Sequence, residues 1–96
     1  MILSSAPLAN RTAIVTGASS GIGRATALAL ARQGANLIVT ARREERLLEL
    51  VDEIEELGVR AALHAGDATD DATARQTIAL AIAEFGQLDI LINNAG

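Results

Sequence analysis

The chain has 96 residues, half of them hydrophobic and 21% charged, with 1 proline and 8 glycines. One modest domain fits that length, and the mixture excludes a disordered tail, a collagen-like repeat and a low-complexity linker. A net charge of −4, no cysteine and a single histidine exclude three more classes: a broadly basic nucleic-acid or anionic-membrane binder, a thiol or disulfide protein, and a multi-histidine metal site. All 8 basic residues are Arg, and the chain contains no Lys, Tyr or Trp.

In chain order, residues 1–10 read as a loose lead-in. Met1 to Pro7 has neither a basic region nor a sustained apolar stretch, so it does not read as a secretory signal. The first strand centres on Ala13-Ile14-Val15. A helix then begins near Gly21, runs through Ala25, Leu28 and Ala29, and stops at Gly34. Leu37-Ile38-Val39 forms a second strand, followed by a helix carrying Leu47, Leu50, Val51, Ile54 and Leu57 that stops at Gly58. A third strand centres on Ala61-Ala62-Leu63. The third helix takes Thr69 as its cap, with Asp70 and Asp71 facing the positive dipole end in its first turn. It places Ala74, Ile78, Ala81, Ile82 and Phe85 on one face and stops at Gly86. Glycine suits such stops because it tolerates the left-handed conformation. Ile90-Leu91-Ile92 is the fourth strand.

The four apolar runs are continuous rather than alternating, the mark of strands buried on both faces of a parallel sheet. The order β-α-β-α-β-α-β predicts an α/β, Rossmann-like, doubly wound sheet, in which residues 11–96 are the N-terminal part of a dinucleotide-binding domain. Gly96 follows the fourth strand immediately, leaving a central strand as an open edge. The expectation is a truncated fragment of a longer protein that self-associates through that edge. The longest apolar stretch, Ile78 to Ala83, falls far short of the ~20 residues that span a bilayer, so a soluble, cytoplasmic protein is expected.

Between the first strand and the first helix lies Thr16-Gly17-Ala18-Ser19-Ser20-Gly21-Ile22-Gly23. Gly17 permits a sharp exit from the strand, Gly21 keeps the backbone open to a pyrophosphate, and Gly23 lets the helix pack close to the sheet. The helix's unpaired N–H groups then face the anion. Glycines also serve turns for purely steric reasons; the strand–glycine–helix context is what favours a ligand. No Gly-Lys-Ser/Thr is present, which disfavours hydrolysis of a nucleoside triphosphate.

The second strand ends Val39-Thr40-Ala41-Arg42-Arg43, offering no acid for the ribose 2′-OH of NAD and two bases for the 2′-phosphate of NADP. NADP is therefore favoured over NAD. The plainer alternative makes Arg42 and Arg43 the solvated start of the second helix, paired with Glu44, Glu45 or Glu49. Asp67, just past the third strand, is placed to accept from an adenine amino group, or else is a turn carboxylate beside the helix cap. His64 reads as a structural residue. The acidic row of Glu44, Glu45, Glu49, Asp52, Glu53, Glu55 and Glu56 reads as a water-facing side that needs no partner.

Thr16-Gly17-x-x-x-Gly21-x-Gly23, Gly66-Asp67-Ala68-Thr69 and Asn93-Asn94-Ala95-Gly96 together resemble the short-chain dehydrogenase/reductase family, over nearly the whole chain from Arg11 to Gly96. The likeness is to the bacterial carbonyl or 3-oxoacyl reductase type, with no particular substrate implied. The resemblance implies Gly17, Ser19, Ser20, Gly21, Ile22 and Gly23 at the pyrophosphate and adenosine ribose, and Asp67 with the Ala68 backbone at the adenine. It implies Asn94, Ala95 and Gly96 beside the ribose, and Asn93 helping to hold the central sheet. Ala41 stands where NAD-preferring members carry an acid, and Arg42 matches members that prefer NADP. Ser20 departs from the base that many NADP users carry there.

Members of that family act on carbonyl or alcohol substrates with a Tyr-x-x-x-Lys pair, a Ser and usually an Asn. Chemically, the Tyr supplies the proton, the Lys lowers its pKa and the Ser polarises the carbonyl. With no Tyr and no Lys, this sequence offers no catalytic residue. The expectation is the cofactor-binding half of an NADP-dependent oxidoreductase, homo-oligomeric when full length and inactive as residues 1–96 alone. A non-catalytic dinucleotide-binding or sensor module shares every motif here. A nucleotide-type methyltransferase would want an acid after the second strand, where Ala41-Arg42 stands.

Overall fold

The computed structural model describes residues 6–19 and 21–94. In chain order the elements are β1 (Thr12–Thr16), α1 (Gly21–Arg32), β2 (Asn36–Ala41), α2 (Glu44–Glu56), β3 (Ala61–Ala65), α3 (Asp71–Phe85) and β4 (Ile90–Ile92). All pairings are parallel, and the strand order is β3-β2-β1-β4. This is the expected doubly wound arrangement.

Alternate residues of a strand point to opposite sheet faces. Ala13, Val15, Leu37 and Val39 therefore meet Ala27, Leu28 and Ala31 of α1 and Leu47, Leu50 and Ile54 of α2. Ile14 and Ile38 point the other way and are covered by α3 through Ala81. Each large side chain so buried contributes about 2 kcal/mol, and no aromatic residue is among the fully buried ones, Phe85 packing only at the margin of the α3 side. A single cation–π contact, the Arg60 guanidinium 4.9 Å from the centroid of the Phe85 ring, ties the entry of β3 to the end of α3.

Burial on both faces holds for β1 and β2 but not for the outer strands. β3 is half-buried to exposed along its length, and β4 exposes Leu91, because each of them occupies a sheet edge. The buried face of α3 is Thr73, Thr77 and Ala81 rather than the face centred on Ile78 and Ile82, which are 42% and 50% exposed. Burying two threonines is tolerable because the Thr77 hydroxyl donates to the Thr73 carbonyl at 2.8 Å. The cap of α3 is Asp70, whose side chain accepts from the Ala72 amide, and not Thr69. Gly34, Gly58 and Gly86 lie past the three helices with positive φ, as expected.

Residues 6–10, read from sequence as loose, are docked. The Leu8 amide donates to the Gln33 carbonyl at 2.8 Å, and the Leu8 side chain packs on the α1/α2 side of the core. Gly34 allows this, since a Cβ there would lie 2.7 Å from that of Ala6. The acidic side of α2 is largely exposed, but Glu53 does take a partner, pairing with Arg24 of α1.

Candidate functional site

The parallel strands bring their C-terminal ends to one edge of the sheet, and the following loops build a cleft there. It has a volume of about 450 Å³ and is lined by Gly17, Ser19, Arg42, Arg43, Asp67 and Ala68 among others. A smaller hollow of about 100 Å³ adjoins it on the α3 face and shares Ala68.

Gly17 leaves β1 at φ 62°, and the Ala18 amide donates to the Thr40 carbonyl at 3.1 Å, which pins the turn to β2. Gly21, at φ 61°, opens α1 with nothing within 4 Å of where a Cβ would stand, so the approach to the helix N-terminus is clear. No acid occupies the first turn of α1 to neutralise its positive end. Gly23 does the opposite job. A Cβ there would lie 2.0 Å from the Gly17 carbonyl oxygen and 2.7 Å from Asn94 Nδ2. Its absence lets α1 settle onto the exit of β1, where the close packing expected of Gly23 is met. Ile22 is 75% exposed on the first turn of the helix.

Thr16 entered the sequence reading only as the first residue of the glycine motif, with no role of its own, yet it joins β1 to the end of β4. Its hydroxyl donates to Asn93 Oδ1 at 3.1 Å and accepts from the Asn94 amide at 2.8 Å. Asn93 thus helps tie the end of the edge strand β4 to β1, and Asn94 is set beside Gly23. The motif marks Thr16 as the end of the strand, but the contact of its hydroxyl with Asn93 depends on the pairing of β1 with β4.

At the other end of the cleft, Arg42 Nη2 lies 3.0 Å from Asp67 Oδ2, whereas the anticipated partners were acids of α2. Arg43 is the N-terminal flanking residue of α2, exposed, without a side-chain capping bond and in no ion pair among the described residues. Ala41 lines the cleft beside them and brings no carboxylate. Asp67 Oδ1 accepts from the Thr69 amide at 2.9 Å and the Thr69 hydroxyl at 2.6 Å. Those two bonds, aided by the Arg42 guanidinium, hold the Asp67 carboxyl below the usual carboxylate range. Asp67 thus makes the turn contacts that the plainer alternative describes and also lines the cleft. The His64 ring meets Gln76 Oε1 at 3.1 Å, and the His64 carbonyl accepts from the Thr40 hydroxyl at 2.6 Å. Ser20, Ala95 and Gly96 lie outside the described residues.

Among the described residues no group of three or more His, Cys, Asp or Glu could hold a metal ion. No helix among them is long and apolar enough to cross a membrane.

Comparison with known proteins gives this geometry its context. The family model described as short chain dehydrogenase matches residues 11–96. An A-factor type gamma-butyrolactone 1'-reductase (1S-forming) of Streptomyces virginiae is 48% identical over 86 residues, which are 90% of this chain and 34% of that protein. An L-rhamnose 1-dehydrogenase (NAD(P)(+)) of Sphingomonas sp. (strain SKA58) is 42% identical over 90 residues, 93% of this chain and 35% of that protein. The crystal structure of L-sorbose reductase from Gluconobacter frateurii, complexed with NADPH and L-sorbose, superposes with a TM-score of 0.89 at 35% identity, covering 97% of this chain and 36% of the other. The chain thus spans about a third of the length of these relatives. A parallel sheet wound on both faces, an open glycine turn at its exit edge and a family match across 11–96 agree: the chain belongs to the short chain dehydrogenase family of oxidoreductases.

Proposed function

We propose that this chain forms the cofactor-binding part of an NADP(H)-dependent oxidoreductase of the cytoplasm, acting on a small carbonyl or alcohol substrate and homo-oligomeric at full length. When bound, the nicotinamide supplies or accepts the hydride. The residues of this chain bind and orient the rest of the cofactor. Gly17, Ser19 and Gly21, with Ser20, Ile22 and Gly23, seat the diphosphate and its ribose at the start of α1. Asp67 and Ala68 border the adenine, and Asn94, Ala95 and Gly96 border the ribose from the end of β4. Tyr and Lys, the proton-transfer pair implied by the family resemblance, are absent from these 96 residues, and the chain alone has no turnover.

One observation carries the cofactor preference: beyond Ala41 the cleft presents two guanidinium groups where a ribose 2′-hydroxyl would want a carboxylate. Arg42 takes the 2′-phosphate through the donors that Asp67 leaves over. Similarity to a reductase crystallised with NADPH supports the same reading. In the full-length gene product, Arg42→Asp should weaken NADPH binding by about 50-fold or more, through a lost charge-assisted bond and added repulsion, and NADH binding by about threefold or less. Equal losses by calorimetric titration would remove Arg42 from the phosphate site.

A further inference from the structure

We propose that Thr69 is a positioning residue for cofactor discrimination: it locks the Asp67 carboxylate in the orientation that holds the Arg42 guanidinium at the mouth of the cleft. The inference rests on the reading of Arg42 as the contact for a 2′-phosphate.

The Arg42 side chain is 76% exposed, and its one described polar contact is the 3.0 Å bond from Nη2 to Asp67 Oδ2. A long side chain in that situation loses rotamer freedom when a ligand must fix it. Asp67 removes part of that loss in advance while engaging only one nitrogen, leaving Nε and Nη1 as donors. Asp67 can do this only if its own carboxylate is held, and the holder is Thr69. The Thr69 amide at 2.9 Å and hydroxyl at 2.6 Å both land on Oδ1 and fill its two lone pairs, so that Oδ2 is the oxygen presented to Arg42.

Nothing else in the fold requires that hydroxyl. Asp70 caps α3, Thr69 stands outside the helix and is exposed, and its hydroxyl has no other described partner. The Thr69 bonds come first among the causes that lower the Asp67 carboxyl below its ordinary range, in keeping with their hold on that carboxylate. A cofactor without the 2′-phosphate makes no use of Arg42, so the relay Thr69–Asp67–Arg42 favours the phosphorylated one.

Calorimetric titration of the full-length gene product with NADPH and with NADH tests this. Thr69→Val keeps the shape and the amide but removes the hydroxyl. It should weaken NADPH binding by about three- to tenfold and NADH binding by less than about twofold, with Thr69→Ser restoring the ratio. Arg42→Ala is run in parallel. If Arg42→Ala weakens NADPH binding far more than NADH binding while Thr69→Val weakens both cofactors equally, or neither, the relay is wrong and the Arg42 reading stands. If Arg42→Ala weakens both cofactors equally, or neither, the reading of Arg42 falls, and this inference with it.

Discussion

The two faces of the sheet are finished to different degrees. On one, α1 and α2 close over Ala13, Val15, Leu37 and Val39, and Leu47, Leu50 and Ile54 of α2 are completely buried. On the other, α3 alone covers Ile14 and Ile38, while Ile78, Ile82 and Leu91 remain open to solvent. Gly23 joins the glycine turn to the finished face through α1. The turn is thereby built on rigid ground, while the smaller hollow lies on the sparsely covered side.

Trimming each face measures that contrast. Leu50→Ala, on the closed side, should cost about 3 kcal/mol in urea denaturation, since a fully enclosed leucine leaves a cavity. A loss below about 1 kcal/mol would mean that this face is no better packed than its opposite. Gly23→Ala forces the Gly17 carbonyl to move and should cost about 2 kcal/mol. It should also damage dinucleotide binding out of proportion to stability, because the turn itself shifts. Ile82→Ala, on the open side, should change stability by about 0.5 kcal/mol or less. A large loss there would reveal a partner covering α3.

The smallest effect concerns pH. The Asp89 carboxylate accepts from the Thr12 amide at 2.9 Å, with further help from Gln87 and Arg11, and its pKa lies below the ordinary value of 3.8. A carboxylate lowered on folding stabilises above that value and loses the contribution as pH falls through its folded pKa. Urea midpoints should therefore decline below about pH 4 in the wild type and decline less steeply in Asp89→Asn. Parallel curves would show that the β1–β4 end does not sense this charge.

The elements were legible because each helix ends at a glycine with positive φ and each strand is a short, uninterrupted apolar run. The orientation of α3 was not. Ile78, Ala79, Leu80, Ala81, Ile82 and Ala83 surround the helix with apolar groups, so periodicity cannot choose a face, and the buried threonines look polar until their hydroxyls are placed. Thr69 and Asp70 stand side by side as equally good caps, and only the Ala72 amide decides between them. At the site, the three glycines of the turn announced themselves through spacing. Arg42 and Asp67 are separated by 25 positions, and only the neighbouring of β2 and β3 makes them a pair. The bonding role of Thr16 was hidden for the same reason: its partners, Asn93 and Asn94, arrive just after β4.

β4 has just three residues, yet it is fastened by side chains at both ends, to Thr12 through Asp89 and to Thr16 through Asn93 and Asn94. Five steps of chain from 89 to 94 therefore act as a ruler laid along β1. Substitutions within Ile90–Ile92 change packing, but an insertion or deletion of one residue must give up one fastening and turn the following side chains to the wrong side. Length in this segment is consequently far less negotiable than composition, and a library that varies β4 should hold its residue count constant.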